Sequence, residues 1–379
     1  MHYYIFAAKD TWVSSGSNKV DGETFTDQNF GRDEILELKK VFYNDSFDYP
    51  TRVLVSFKGT DFTNLSQSVV EGDITNPKYY LRLYEANGTQ ELQNEYSLIA
   101  HPVSQSWDEG IGKFADDPKV LDGCSWVNRQ WPQGGAALTW SKADGSAEDG
   151  PSIMTGALLA ASQSFSNESP DINMDITDIV DYWYRSGSSA NHGLLLKFSG
   201  SQETNETGSD VTTGQFKFFS SNTNTIYAPK LEVRWDNHFP CTGSNTGSLL
   251  QMTMSGQTDY ILNTKGLQKS YKEEDKVKFR VRPRERYVQK TFSRSVQTTS
   301  GSYIPESSGS YSIVDLATGE TVVPFSAYTS MSCDAESNYF IQWMNGFHPN
   351  RAYKVLYKIK FNDGQEKIYD EDFEFIVRS

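Results

Sequence analysis

The stretch YYLRLYEANGTQELQNEYSLIAHPVSQSWDEG, Tyr79 to Gly110, decides how this chain reads. Two runs in it, YYLRLYEA and EYSLIAHPV, alternate apolar and polar residues and flank Asn87-Gly88, a pair that tolerates the positive φ of a tight hairpin turn. No helical spacing occurs in the stretch. It predicts a twisted antiparallel hairpin with one apolar face, and the segments around it are expected to pair with it.

Working outward, YYIF at 3–6 predicts a short strand, and ILELKKVFY (35–43) and TRVLVSF (51–57) repeat the alternation, the latter with Val53, Val55 and Phe57 on one face. Downstream, Ala157 to Gln163 predicts another strand. DINMDITDIVDYWYRSG (171–187) then places Asp and Thr at capping positions and Ile176, Val180 and Trp183 at helical spacing, which predicts a strand followed by a two-turn helix. GLLLKFSG, GQFKFFSS and PKLEVRW are three further strands, and Trp235 closes the domain. Residues 106–150 break the pattern. Trp107, Trp126, Trp131 and Trp140 punctuate a run of Asp, Gly and Pro that reads as a long loop held down by aromatics, either a lid on one end of the sandwich or a functional loop.

At 379 residues the chain has room for two cores, and its 13% aromatic content with turn formers scattered throughout predicts an all-β fold. The expected organisation is two tandem β-sandwiches: a domain over 1–236, a linker at 237–247 (NHFPCTGSNTG), and an immunoglobulin-like sandwich over 248–379. Residues 1–236 hold 18 Lys/Arg against 33 Asp/Glu, a balance of −15, and the remainder holds 17 against 16. Such an acidic first half argues against binding a phosphate backbone there. Cys124, Cys241 and Cys333 are odd in number and widely spaced, so neither a disulfide framework nor a zinc knuckle is expected, and the chain reads as one that folds in a reducing cytoplasm. MHYYIFAAKDTW lacks the marks of a signal peptide, and no apolar run approaches the roughly eighteen residues of a membrane span.

The second half contains the sharpest pattern. In KVKFRVRPRER, Lys276, Lys278, Arg280, Arg282, Arg284 and Arg286 occupy alternate positions opposite Val277, Phe279 and Val281, so one strand face is cationic and the other apolar. Pro283 suggests an edge or a bend. Lys354, Lys358 and Lys360 repeat the pattern in YKVLYKIKF, and Asp370, Asp372 and Glu374 reverse its sign in DEDFEFIVRS. The cationic row predicts either pairing within the chain to Asp370, Asp372 and Glu374, or an acidic partner, which could be another copy's N-terminal domain or another protein. DNA ranks behind both.

Residue chemistry gives little support for catalysis. Asp108-Glu109 beside Trp107 is a carboxylate pair, but neighbours in extended chain point to opposite faces and cannot jointly flank one bond without a turn. The five histidines, His2, His101, His192, His238 and His348, show no metal-ligand spacing, and no phosphate-cradling glycine loop opens a helix. No enzyme and no cofactor are therefore expected.

Taken in order, NFG (29–31), TRVLVSF (51–57), YYLRLYEANG (79–88), YSLIAHPVSQSWDEG (96–110), ITDIVDYWYRSGSSANHGLLLKF (176–198) and FKFFSSNTNTIYAPKLEVRW (216–235) resemble the successive blocks of DNRLRE-type jelly rolls. These are β-sandwich modules related in shape to carbohydrate-binding modules and found in secreted and cell-surface proteins. The resemblance covers roughly 1–236 and departs at the insertion between Gly110 and Gly156 and at the missing secretion signal. KVKFRVRPRERYVQKTFS (276–293), YSIVDLATGETVVPF (311–325) and SNYFIQWMNGFHPNRAYKVLYKI (337–359) resemble a recurrent domain of structural proteins from large tailed bacteriophages, virion components without assigned chemistry.

The two resemblances together imply a non-enzymatic virion protein, made in the host cytoplasm and released by lysis. Its partners would be other virion proteins and further copies of itself, with no membrane and no nucleic acid. The jelly-roll resemblance also implies a possible structural calcium, for which Asp116-Asp117 or Asp144 to Asp149 would supply oxygens. The alternative function is a carbohydrate-binding or adhesive module recognising host-surface glycans, in which Trp126 and Trp131 stack on sugar rings.

Overall fold

The structure is a computed structural model and describes residues 1–379 apart from 17–23, 41, 44–45, 48–49, 88–94, 133, 143, 167–170, 187–190, 205–213, 289–291, 293 and 297–300. The described residues form twenty-five strands and three α-helices, an all-β fold of packed sheets. The chain divides into two compact units, one of Ile5–Asp73 with Lys78–Val233, the other of Met1–Tyr4, Ile74–Pro77 and Arg234–Ser379.

In the first unit, strands run in the order Ala161–Ser166, Glu95–Pro102, Leu194–Phe198, Thr51–Phe57, His2–Ser14, Lys230–Arg234, Lys78–Leu83, Ile172–Asp175. This order overturns the expected central hairpin. Lys78–Leu83 and Glu95–Pro102 are both strands, but four other strands lie between them. Alternation specifies which face a side chain takes and leaves the neighbour open; Glu95–Pro102 pairs with Ala161–Ser166 and Leu194–Phe198, and Lys78–Leu83 with Ile172–Asp175. Gly88, half of the expected turn, lies outside the described residues.

The 13-residue strand His2–Ser14 serves both halves of the sheet. Its register with Thr51–Phe57 slips between Ala7 and Lys9, and Ala7 N donates to Pro229 O at 2.9 Å on the other side. An irregularity of this kind bends a strand and lets it change partners. Ile35–Lys40 and Gly214–Phe219 form a separate pair whose Leu36, Leu38, Phe216 and Phe218 are fully buried. Phe216 packs 4.8 Å from Tyr96 and 5.7 Å from Phe198, centroid to centroid, which places the aromatic core between the two layers.

Thr51–Phe57 is buried on both faces, since Leu54 is as inaccessible as Val53 and Val55. The Trp-rich segment is the reason. Trp107, Cys124, Trp126 and Trp140 form a second apolar cluster with Val13, Leu54 and Leu195, so these side chains of the Trp-rich segment cover the outer face of the sheet. The segment has its own pairings, Asn128–Gln130 with Leu138–Thr139 and Ser141 with Ala147, where a loop was expected.

The two longer helices of this unit were legible to different degrees, and Ser201–Thr204 adds a single turn. Thr177–Ser186 forms where capping residues and spacing predict it: Asp175 Oδ1 accepts from Thr177 N at 2.9 Å, and Ile179, Val180 and Trp183 are buried. Gly59–Val70 was not expected; it buries only Phe62 and Leu65, too thin an apolar stripe to stand out in the sequence. The strand expected at 157–163 begins at Ala161 and runs to Ser166.

The second unit stacks two sheets. One orders Tyr260–Lys265, Lys276–Glu285, Asn338–Trp343 and Ser332–Cys333, and the other Ser270–Lys272, Glu366–Arg378, Arg351–Lys360, Gly309–Asp315 and Thr321–Val323. Phe279, Val281, Phe340, Tyr311, Ile313, Tyr353, Val355, Tyr357 and Phe375 fill the space between them, with Tyr311 and Phe340 stacked at 3.7 Å. Cys241 and Cys333 are joined in a disulfide here, with Cα atoms 4.9 Å apart across a separation of 92 residues. This corrects the expectation of no disulfide, because spacing along the chain says nothing about two cysteines brought together by the fold. Cys124 is free and buried.

Candidate functional site

Lys276–Glu285 presents the alternation read from the sequence, with Phe279 and Val281 buried and the cations outward. Its neighbours absorb most of that charge. Lys278 Nζ lies 3.0 Å and Arg280 Nη1 2.8 Å from the carboxylate of Asp334, and Lys278 also sits over the Tyr339 ring. Burial would raise the Asp334 pKa; the hydrogen bonds from Arg280 and Lys278 outweigh it and hold the carboxyl far below the usual range. Lys276 covers the Trp343 ring, Arg282 Nε donates to Glu336 O at 2.7 Å, and Arg286 pairs with Asp259 at 2.8 Å. Arg284 is exposed and makes no ion pair among the described residues.

The expected intramolecular partners were therefore the wrong ones. Asp370, Asp372 and Glu374 belong to the opposite sheet, where Lys354 is bonded to Asp370 and lies in register with Glu374. Opposite charge was matched by composition in the sequence, whereas the match in space comes from the strand next door and its preceding turn.

Beyond Glu285 the chain changes character. Tyr287 is 79% exposed, Val296 91%, and Phe292 is fully exposed, interspersed with Arg286 and Arg294. Scattered exposed apolar residues are ordinary, but Tyr287, Phe292 and Val296 are three large ones within ten positions that also include exposed Arg294 and follow exposed Arg286, a composition of the sort that marks an interaction surface.

The other expected site residues do not converge. Trp126 is 5% exposed, stacks under the Arg52 guanidinium at 4.4 Å, and donates from Nε1 to Asp149 Oδ1 at 2.9 Å. It has no face to offer a sugar ring, which overturns its assignment as a glycan contact; Trp131 is half-buried. Asp108 and Glu109 part company, as extended chain dictates: Asp108 faces Lys9 at 3.8 Å, while Glu109 Oε1 accepts from Asp10 N at 3.0 Å.

The acidic loops considered for calcium use their oxygens locally. Asp116 Oδ2 accepts from Lys113 N, Asp144 Oδ1 from Ser146, and Asp149 Oδ1 from Trp126. Among the described residues no group of three or more His, Cys, Asp or Glu is placed to hold a metal ion.

One ionisable pair escaped the sequence reading. Asp10 is buried, accepts from Ser221 N at 2.7 Å, and has its Oδ1 without a partner. Desolvation pushes its pKa up to about 7, the Ser221 N–H opposing and the nearby Glu109 charge assisting. Glu109 is likewise raised by burial. No local motif could reveal this, because Asp10 and Glu109 meet only once the Trp-rich segment folds over the sheet.

No protein-family model matches the chain, and no curated protein matches it. Among solved structures, a DUF4785 family protein from Legionella pneumophila aligns with all of this chain and 64% of its own length, at 9% identity and a TM-score of 0.15. The chain thus spans less than two thirds of that protein, and a superposition at this score bears on neither fold nor function.

Proposed function

We propose that this chain is a non-enzymatic structural component of a tailed-phage virion that works by contacting other proteins. The observation that carries the reading is the set of exposed basic and apolar residues Arg284, Arg286, Tyr287, Phe292, Arg294 and Val296, with Arg284 in no ion pair among the described residues and Tyr287, Phe292 and Val296 uncovered. A partner surface that is acidic and partly apolar would bury these side chains. The −15 balance of residues 1–236 makes another copy of this chain one such partner, and other virion proteins supply the rest. The resemblance of residues 276–359 to phage structural domains supports the same reading.

On this proposal the chain is synthesised in the host cytoplasm and resides in the particle, and oxidation of Cys241 and Cys333 follows release into medium. The test is mass spectrometry of purified particles. The chain in multiple copies per particle supports the proposal, and its absence from clean particles removes it.

A further inference from the structure

The second unit carries a polar cavity of about 170 Å³ at one end of its five-stranded sheet, on the face turned away from the core. Register sets its geometry. Ser310 lies directly opposite Lys358, and Lys360 directly opposite Glu366. Opposite side chains in an antiparallel pair share a face, and Tyr357 and Ile359 take the buried one. Ser310, Lys358, Lys360 and Glu366 therefore point outward together, and all four line the cavity. Ser307 and Ser308 close it on one side; Ser326 and Ser330, which flank the single helical turn Ala327–Thr329, close it on the other.

Two properties narrow what fits. No aliphatic or aromatic side chain lines the cavity among the described residues, so an apolar molecule gains little by entering it. The charges, moreover, do not balance. Glu366 pairs with Lys358 at 3.4 Å, and Lys360, exposed and opposite the same carboxylate, makes no ion pair among the described residues. Hydroxyl donors add to this excess. Ser308 and Ser330 direct their hydroxyls to Glu306 O and Ala327 O, whereas those of Ser307 and Ser310 have no partner among the described residues. Ser326 Oγ accepts from Tyr328 N at 3.2 Å, an arrangement that leaves its O–H to donate elsewhere. Two ammonium groups and three hydroxyls facing one paired carboxylate suit oxygen acceptors that carry negative charge, because hydrogen bonds to an ionised partner are the stronger kind. A cation would meet Lys358 and Lys360 first.

We propose that this cavity binds a compact oxyanion, with Lys358 and Lys360 facing its charge and the hydroxyls of Ser307, Ser310 and Ser326 donating to its oxygens. A phosphate group and the carboxylate of an acidic sugar share that chemistry. The site does not depend on the virion reading.

The test titrates the full chain by calorimetry, in low-salt buffer, with inorganic phosphate, methyl β-glucuronide and, as the neutral control, methyl β-glucoside. Phosphate or the glucuronide is expected to saturate with a Kd of about 1 mM, and the glucoside not to bind. Binding of one anion without the other tells the two sources apart. Lys360→Gln breaks no ion pair among the described residues and is expected to weaken the bound anion about fivefold. Glu366→Gln removes the competing carboxylate from beside Lys358 and is expected to tighten it about threefold, a gain that damage to the fold would not produce. No saturable binding of either anion, equal binding of the glucoside, unchanged affinity in Lys360→Gln, or affinity that fails to rise in Glu366→Gln would each overturn the proposal.

Discussion

Asn29 holds Cys124 in place: its Nδ2 donates to the Cys124 carbonyl at 2.7 Å and to Glu109 O at 2.7 Å, while its Oδ1 accepts from Gly31 N at 3.0 Å and Gly112 N at 2.9 Å. One side chain thereby ties the segment following the first strand to both ends of the turn that starts the Trp-rich cover. Gly123 lets the chain come this close, at a φ of +109° and with no room for a Cβ beside Gly110. Asn29→Ala leaves buried backbone groups unmatched and is expected to cost about 3 kcal/mol. Urea midpoints check this; a loss below about 0.5 kcal/mol would mean the cover is held elsewhere.

The Asp10 carboxyl sets a pH dependence. Its pKa is raised from 3.8 to about 7 in the folded protein, so the folded state holds a proton that the unfolded state releases across that window. Stability from this group is therefore present at low pH and declines as pH rises from about 4 to about 7, by up to about 1.4 kcal/mol per unit. Asp10→Asn removes the titration. The difference in stability between the two proteins should swing in favour of Asp10→Asn as pH rises, and parallel pH profiles would contradict the burial of this carboxyl.

Much of this architecture was legible locally and little of it globally. Alternation located strands such as Thr51–Phe57, Lys276–Glu285 and Arg351–Lys360, and a capping Asp with Ile176, Val180 and Trp183 located a helix. The pairing of Lys78–Leu83 was not legible, because a period of two is satisfied by any neighbour. Trp126 read as a loop aromatic since its surroundings are polar in sequence; only the sheet beneath it makes it core. The same limit applies to the Cys241–Cys333 bond, to Asp334 as the counter-ion of Lys278 and Arg280, and to the Asp10–Glu109 contact, all of which join residues far apart in the chain.

The disulfide predicts a thiol count. The denatured, unreduced protein should titrate one thiol, Cys124, and non-reducing peptide maps should join the peptides of Cys241 and Cys333. Reduction is expected to lower stability by about 2–4 kcal/mol, since the bond closes a long loop. Three titratable thiols in protein from purified particles would contradict it.

Two charge changes on one face separate packing from partnership. Asp334→Asn strips Lys278 and Arg280 of a shared counter-ion and is expected to cost about 1 kcal/mol, discounted for its partial exposure. Arg284→Glu touches no ion pair among the described residues and should leave stability within about 0.5 kcal/mol while reducing incorporation into particles. Thermal melts and particle-associated copy number read the two effects independently; unchanged incorporation of Arg284→Glu would argue against an acidic partner at this face.

On the proposed function, another protein covers Arg284, Tyr287, Phe292 and Val296 in the assembled state. Hydroxyl-radical footprinting of Tyr287 and Phe292, in the free chain and in intact particles, addresses it directly, because both rings are open to solvent in the isolated protein. Strong labelling of both is expected in the free chain, with about a tenfold loss in particles. Equal labelling in the two states would contradict it.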